Sequence, residues 1–132
     1  MNIYLDIDGV LLVNENSAAN FADEFLVAVL SKYPNSTFWL TTHCWKGENR
    51  AVAVLSPHLK PETVALLSKI KPTEWRDWKT DAIDFSKPFL WFDDDLFPKE
   101  KAVLEKNNVL KNYVAIDLYQ NPTQLKDLVK LL

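Results

Sequence analysis

The octapeptide Ile3-Tyr4-Leu5-Asp6-Ile7-Asp8-Gly9-Val10 constrains this chain more than any other stretch. Its β-branched and aromatic residues mark a short strand, which two carboxylates and a glycine bring to an end. A strand buried on both faces is a continuous apolar run, so Asp6 and Asp8 mark where the chain leaves the core. Residues i and i+2 of a strand point to the same face, which places both acids at one mouth. Two carboxylates about 4 Å apart repel by roughly 4 kcal/mol at an effective dielectric near 20. The pair is therefore either a solvated acidic loop or a site that shares a cation or a proton. Gly9, one of only two glycines with Gly47, has the backbone freedom that a turn directly after Asp8 needs.

Downstream, apolar runs of strand length alternate with segments of helical period. After a short connection over Leu11 to Asn16, Ser17 is the expected N-cap of a helix. That helix carries Phe21, Phe25, Leu26, Val29 and Leu30 and ends near Lys32–Tyr33, before Pro34-Asn35. Thr37 to Leu40 reads as a second strand, finishing in Thr41-Thr42-His43. Glu48 to Leu55 reads as helix. Glu62 to Ile70 fits an amphipathic helix through Val64, Leu66, Leu67 and Ile70, or contains a short strand. Thr73 to Phe85 reads as helix with Trp75, Trp78, Ala82 and Ile83 on its apolar side. Phe89 to Phe92 is a strand that terminates in Asp93-Asp94-Asp95. Pro98 opens a helix covering Glu100 to Lys106. Tyr113 to Ile116 is a further strand ending in Asp117, and Asn121-Pro122 starts a last amphipathic helix with Leu125, Leu128, Val129 and Leu132.

This alternation predicts an α/β fold: a Rossmann-like parallel sheet sandwiched by helices, in one domain over residues 1–132. In such sheets ligands bind beyond the carboxyl ends of the strands, near the point where strand order reverses. Right-handed crossovers bring Asp6/Asp8, Thr41/Thr42 and Asp93/Asp94 to one edge of the sheet. That convergence is more specific than any of the three alone.

A carboxylate can attack phosphorus to form an aspartyl phosphate, but an anionic phosphate monoester repels it. Mg²⁺ removes the repulsion and is bound by a few carboxylate oxygens with water and substrate phosphate. Asp6 and Asp93 are placed to supply such oxygens, with Asp94 as a further ligand, directly or through water. Asp8 is placed to protonate the leaving oxygen and then to deprotonate the attacking water. A hydroxyl from Thr41, or from Thr42 if the strand runs one residue longer, and a cation such as Lys79 would hold the nonbridging oxygens. Lys79 stands among Trp75, Trp78 and Ala82 upstream of the Asp93 strand, with Lys69, Lys71 and Lys87 as neighbouring alternatives.

The set formed by Asp6-Ile7-Asp8-Gly9-Val10 after an apolar strand, Thr41, Lys79 and Asp93-Asp94 resembles the four signature motifs of the haloacid dehalogenase-like superfamily. The resemblance spans nearly the whole chain, in the superfamily's order. It implies Asp6 as nucleophile and Asp8 as acid/base. It also implies Mg²⁺ held by Asp6, the backbone carbonyl of Asp8, and Asp93 with Asp94. The dehalogenases of the superfamily lack the second acid of the first motif, so Asp8 points to phosphoryl transfer, as in its phosphatases.

The remaining polar residues have weaker claims. His43 either lines the site and touches substrate, with Thr42 and Gly9, or is a polar loop residue. Cys44 has no defined base partner and reads as a bystander, and His58 as structural. Trp45 either stacks on a substrate ring at the edge of the site or packs its loop. Trp75, Trp78 and Trp91 read as core.

Superfamily members often close a cap domain over small substrates. There is no room for one between Asp8 and Ser17, and fewer than forty residues separate Thr41 from Lys79. The chain is therefore expected to be capless or nearly so. An open site excludes water poorly unless its substrate or an oligomer covers it, which favours a macromolecular substrate or an oligomer that supplies the lid. The chain resembles small capless members with a Trp-Lys helix before a strand ending Asp-Asp, some of them associated with nucleic-acid end repair, and this resemblance implies a phosphorylated small molecule or a nucleic-acid end as partner. Against a nucleic-acid surface stand a net charge of −3 and a pI near 5.3. The alternative from another class is a catalytically silent phosphate-binding or regulatory module. A single cysteine, no basic-then-apolar leader and no long apolar run suit a cytoplasmic protein without a membrane partner.

Overall fold

The computed structural model describes every residue from Met1 to Leu132. In chain order the elements are β1 (Asn2–Leu5), a hairpin of β2 (Leu12–Asn14) and β3 (Ser17–Ala18), α1 (Ala22–Lys32) and β4 (Thr37–Trp39). Next come α2 (Ala51–Leu55), α3 (Pro61–Val64), β5 (Lys71–Pro72) and β6 (Phe89–Asp93). The chain finishes with α4 (Pro98–Lys106), β7 (Tyr113–Ala115) and α5 (Gln124–Leu131). Five strands form a wholly parallel sheet in the order β5-β4-β1-β6-β7. Numbered among themselves these strands run 3-2-1-4-5, the first five positions of the doubly wound order 3-2-1-4-5-6. The reversal of strand order falls between β1 and β6, where Leu5 pairs with Phe92.

Side-chain alternation along each strand divides the core between the two faces of the sheet. Ile3, Leu5, Trp39 and Phe92 join the larger cluster, which α1 and α5 cover with Phe25, Leu26, Val29 and Leu125. Tyr4, Phe89 and Trp91 point to the opposite face and pack with Ile83 and with Leu104 of α4. β1 is buried at all four residues, as expected for a central parallel strand with helices on both sides. Pro72 lies in β5 at the sheet margin, where its missing N–H costs no ladder bond. No separately folded unit is inserted anywhere in the chain. No helix is long and apolar enough to cross a membrane.

Several local expectations change. Ser17 does not cap a helix: it pairs with Asn14 in the hairpin, and α1 starts at Ala22 after Phe21 in the left-handed region, φ 65°. The reason is burial, because Leu12 and Ala19 are both interior and the chain must double back to cover both. The helix expected from Glu48 starts only at Ala51, because the Asn49 side chain accepts the Ala51 N–H and sets the start there. Between Glu62 and Ile70 the chain makes the single turn of α3 and a 3₁₀ turn at Leu67–Lys69, and the strand β5 follows immediately.

The largest change concerns Thr73 to Phe85, where only Lys79–Ala82 forms a 3₁₀ turn. Asp77, Thr80, Asp81 and Asp84 are poor helix formers. The aromatic residues also have separate destinations: Trp75 packs against Trp45, and Trp78 against Phe97. An irregular backbone reaches both, whereas one helix face would not.

Candidate active site

β4, β1 and β6 are adjacent in the sheet, and their carboxyl ends deliver Thr41-Thr42, Asp6 and Asp93 to one edge. β1 stops at Leu5, so Asp6 and Asp8 do not share the face of one strand. Instead Asp6 turns inward and is buried, while Asp8 remains exposed and enters a bridge with Leu12. The crowding of two like charges expected from i, i+2 spacing is relieved by this turn. Asp8 Oδ2 lies 2.9 Å from His43 Nε2, and Asp6 faces a different set of partners.

Those partners centre on Lys79, whose Nζ is 2.7 Å from Asp93 Oδ2 and 3.3 Å from Asp6 Oδ2. The Ile7 N–H donates to Asp6 Oδ1 at 2.8 Å, so both oxygens of Asp6 are held. Asp93 accepts four hydrogen bonds. The Asp94 and Asp95 N–H groups bind Oδ1, and Lys79 Nζ and Trp91 Nε1 bind Oδ2. Lys79 is thus the lysine that meets these acids; Lys69, Lys71 and Lys87 are exposed elsewhere.

Charge and burial oppose each other at this point. Burial works to strip the proton from Lys79, but Asp6 and Asp93 outweigh it and raise its pKa. Burial, followed by the charge of Asp6, pushes Asp93 up to about 8 even though Lys79 pulls the other way. Asp94 is likewise raised, first by burial. One ammonium does not balance three ionised carboxylates: Asp6, Asp93 and Asp94 would together leave two negative charges beside Lys79, an excess that a proton held on Asp93 reduces to one.

A divalent cation would cancel that excess. Asp6, Asp93 and Asp94 each offer a carboxylate oxygen, and these atoms lie within 4.8 Å of one another. An all-oxygen donor set of this size suits a hard cation such as Mg²⁺ that keeps water and substrate oxygens in its remaining positions. The residues therefore fit the group that the resemblance implies. Because Asp93 is already bound by four donors, Asp6 and the exposed Asp94 carry the freer oxygens. The Asp8 carboxylate stands outside the trio, so the part in metal binding implied for Asp8 would fall to its backbone carbonyl.

The two threonines separate clearly. Thr41 is fully buried, and its Oγ1 accepts the His43 N–H at 3.3 Å, which holds the turn after β4. Thr42 is exposed and lines the acid pocket together with Asp6, Asp8, Lys79 and Asp93. The hydroxyl within reach of a ligand is that of Thr42. Gly9 makes the turn expected directly after Asp8, with φ +76° and its N–H taken by Leu12 O at 2.8 Å. It meets the site through Asp94, whose carboxylate occupies the space where a Cβ would be.

Some contributors were not apparent in the sequence. Glu100 is buried, and its carboxylate accepts the Lys79 N–H at 2.9 Å and the Phe97 N–H at 3.2 Å. It joins the start of α4 to the turn that carries Lys79. Its signal was present as Pro98-Lys99-Glu100, a proline at the first helical position and a glutamate at the third. Tyr113 donates its hydroxyl to Asp93 O at 3.1 Å; its pKa is pushed up, first by burial and then by Asp93. Trp91 is core as expected but also binds Asp93, whereas Trp75 and Trp78 are half-buried and line the cleft. Cys44 is buried against Asn49, with its thiol raised by burial, and has no place at the site.

No family model, no curated protein and no solved structure matches this chain.

Proposed function

We propose that the protein is a Mg²⁺-dependent phosphomonoester hydrolase of the haloacid dehalogenase-like type, working through an aspartyl phosphate on Asp6. One observation carries the reading: Asp6, Asp93 and Asp94 gather around Lys79 where strand order reverses, with Asp8 and Thr42 on the same pocket. A general surface cluster of acids would not bury two of its members around a lysine.

In this reading Mg²⁺, when bound, neutralises charge on the carboxylates and on the phosphoryl oxygens. The chain's own residues do the rest. Asp6, oriented by the Ile7 N–H and Lys79, attacks phosphorus as the ester P–O bond breaks. Asp8 gives its proton to the departing alkoxide oxygen. The same residue, now a carboxylate, takes a proton from water as that water attacks the phosphorus of the aspartyl phosphate. The bond to Asp6 then breaks, inorganic phosphate leaves, and Asp8 is again protonated. His43, 2.9 Å from Asp8 Oδ2, orients this acid/base. Lys79 and Thr42 hold the phosphoryl oxygens, where charge accumulates during transfer.

The test is release of phosphate from an aryl phosphate by purified protein with Mg²⁺. Asp6→Asn should abolish turnover, and Asp8→Asn should slow it by roughly 10²- to 10⁴-fold while ligand still binds. Absence of turnover on a broad panel of phosphate esters, with Asp6→Asn binding them like wild type, would leave a binding module instead.

A further inference from the structure

We infer that the substrate of this site carries a planar aromatic ring beside its phosphoryl group, as a nucleoside monophosphate does, and that the ring rests on Trp45. The inference depends on the phosphatase reading and narrows its substrate.

The acid pocket is a cavity of about 220 Å³, below the ~300–1,000 Å³ of pockets that enclose a whole small ligand. It holds a reacting group, and the rest of a substrate has to lie outside it. Thr42, Trp75 and Asp77 lead from the acids into adjoining open spaces of about 590 and 1080 Å³. The wall of that cleft is aromatic: Trp45 and Trp75 have ring centroids 6.0 Å apart at an interplanar angle of 36°. Trp45 is 37% exposed, and its Nε1 donates to Arg76 O at 3.3 Å, which pins the ring in place. Lys46 Nζ lies 4.5 Å from the same ring's centroid, a cation–π contact by a long, exposed side chain that an arriving ring displaces or stacks beside. Trp45 borders both open spaces and keeps part of its surface accessible, which a ring serving only to pack its loop does not need.

Charge limits the size of the ligand. Lys46, Arg76 and Lys99 line the cleft, but so do Glu74, Asp77 and Asp81. Three cations against three anions give no net positive track for a phosphate backbone, whereas sites for single strands combine stacking rings with a basic groove. One nucleotide, its phosphoryl group at Asp6 and its base on Trp45, uses the aromatic wall without requiring such a track. The acids of the cleft can accept hydrogen bonds from the sugar hydroxyls and base amino groups.

The decisive comparison is adenosine 5′-monophosphate against ribose 5-phosphate, with wild type, Trp45→Leu and Trp45→Phe. Trp45→Leu should raise KM for the nucleotide roughly tenfold or more and change KM for ribose 5-phosphate less than about twofold. Trp45→Phe should restore most of the difference. Equal handling of the two esters by wild type, with Trp45→Leu altering neither, overturns the ring site and leaves the phosphatase reading intact. If no ester is hydrolysed, the phosphatase reading fails. Binding of a nonhydrolysable adenosine 5′-phosphonate that Trp45→Leu weakens would then still support the ring site. Much tighter, steeply salt-dependent binding of a 5′-phosphorylated oligonucleotide than of the mononucleotide also overturns the inference, in favour of a nucleic-acid end.

Discussion

Gly9 and Asp94 are packed so closely that a Cβ on Gly9 would collide with the Asp94 carboxylate and stand 2.9 Å from Asp94 Cβ. Gly9 also has φ +76°, a conformation that costs other residues energy. Gly9→Ala should therefore destabilise the fold by about 1–3 kcal/mol and displace Asp94 from the acidic trio with Asp6 and Asp93. Gly47 has φ +83° but nothing within 4 Å, so Gly47→Ala carries only the backbone cost. Urea unfolding and Mg²⁺-dependent phosphate release of the two variants separate these effects. Equal loss of activity in both would remove the role given to Asp94.

The raised pKa of Asp93 predicts how stability depends on pH. An unfolded aspartate titrates near ~3.9, and in the metal-free fold Asp93 holds its proton up to about 8. Between these values the native state binds the extra proton, so stability falls as pH rises. Below the lower value both states are protonated and the contribution is flat. Mg²⁺ should oppose the fall, because it stabilises the ionised trio, and its binding should release protons in that window. Melting temperatures from pH 5 to pH 8 with and without Mg²⁺ test this; parallel curves would count against it.

Thr41 and Thr42 should respond in opposite ways. Thr41→Val removes the acceptor of the His43 N–H inside the fold, at a cost of about 1–3 kcal/mol. Thr42→Val changes an exposed residue on the acid pocket, so its stability should stay within about 0.5 kcal/mol of wild type. Its loss should appear instead as weaker turnover of phosphate esters. Denaturant titration beside steady-state kinetics distinguishes the two, and a stable, fully active Thr42→Val would shift the hydroxyl's role back to Thr41.

Glu100 is a structural support for the turn that carries Lys79. Glu100→Ala leaves the Lys79 and Phe97 N–H groups without their acceptor and should cost roughly 2–4 kcal/mol. Glu100→Gln keeps one acceptor oxygen and should lose less. If Lys79 is placed through Glu100, the alanine variant should also bind Mg²⁺-loaded substrate less well at temperatures where it remains folded. Wild-type kinetics in a folded Glu100→Ala would contradict that link.

Much of this arrangement was legible locally. Strands of a parallel sheet read as apolar runs, so β1, β4, β6 and the edge strand β7 were visible as Ile3–Leu5, Thr37–Leu40, Phe89–Phe92 and Tyr113–Ile116. Polar residues at the ends of such runs are costly to bury, so Asp6, Thr41-Thr42 and Asp93-Asp94 identified the edge of the sheet where the acid pocket lies. The segment from Thr73 to Phe85 was misleading for a physical reason. Its apolar spacing fits a helix, but Trp75, Trp78 and Ile83 answer to different neighbours, and tertiary packing overrides a weak local preference. Ser17 misled similarly, because its role depends on burying Leu12 and Ala19 together.

The sequence by itself determined the main parallel strands β1, β4, β6 and β7, the helices α1, α4 and α5 between and after them, and the polar residues at the strand ends with their all-oxygen acidic set. These follow from side-chain type and period, which are properties of neighbours along the chain. Only the tertiary structure decided that Asp6 turns inward while Asp8 meets His43, and that Lys79 is the lysine between Asp6 and Asp93. It also decided that Thr42 faces the pocket, that Glu100 ties the lysine turn to α4, and that Trp45 and Trp75 form the wall beyond the acids. Each of these depends on the separation in space of residues far apart in sequence, which is set by strand order and packing and has no local signature.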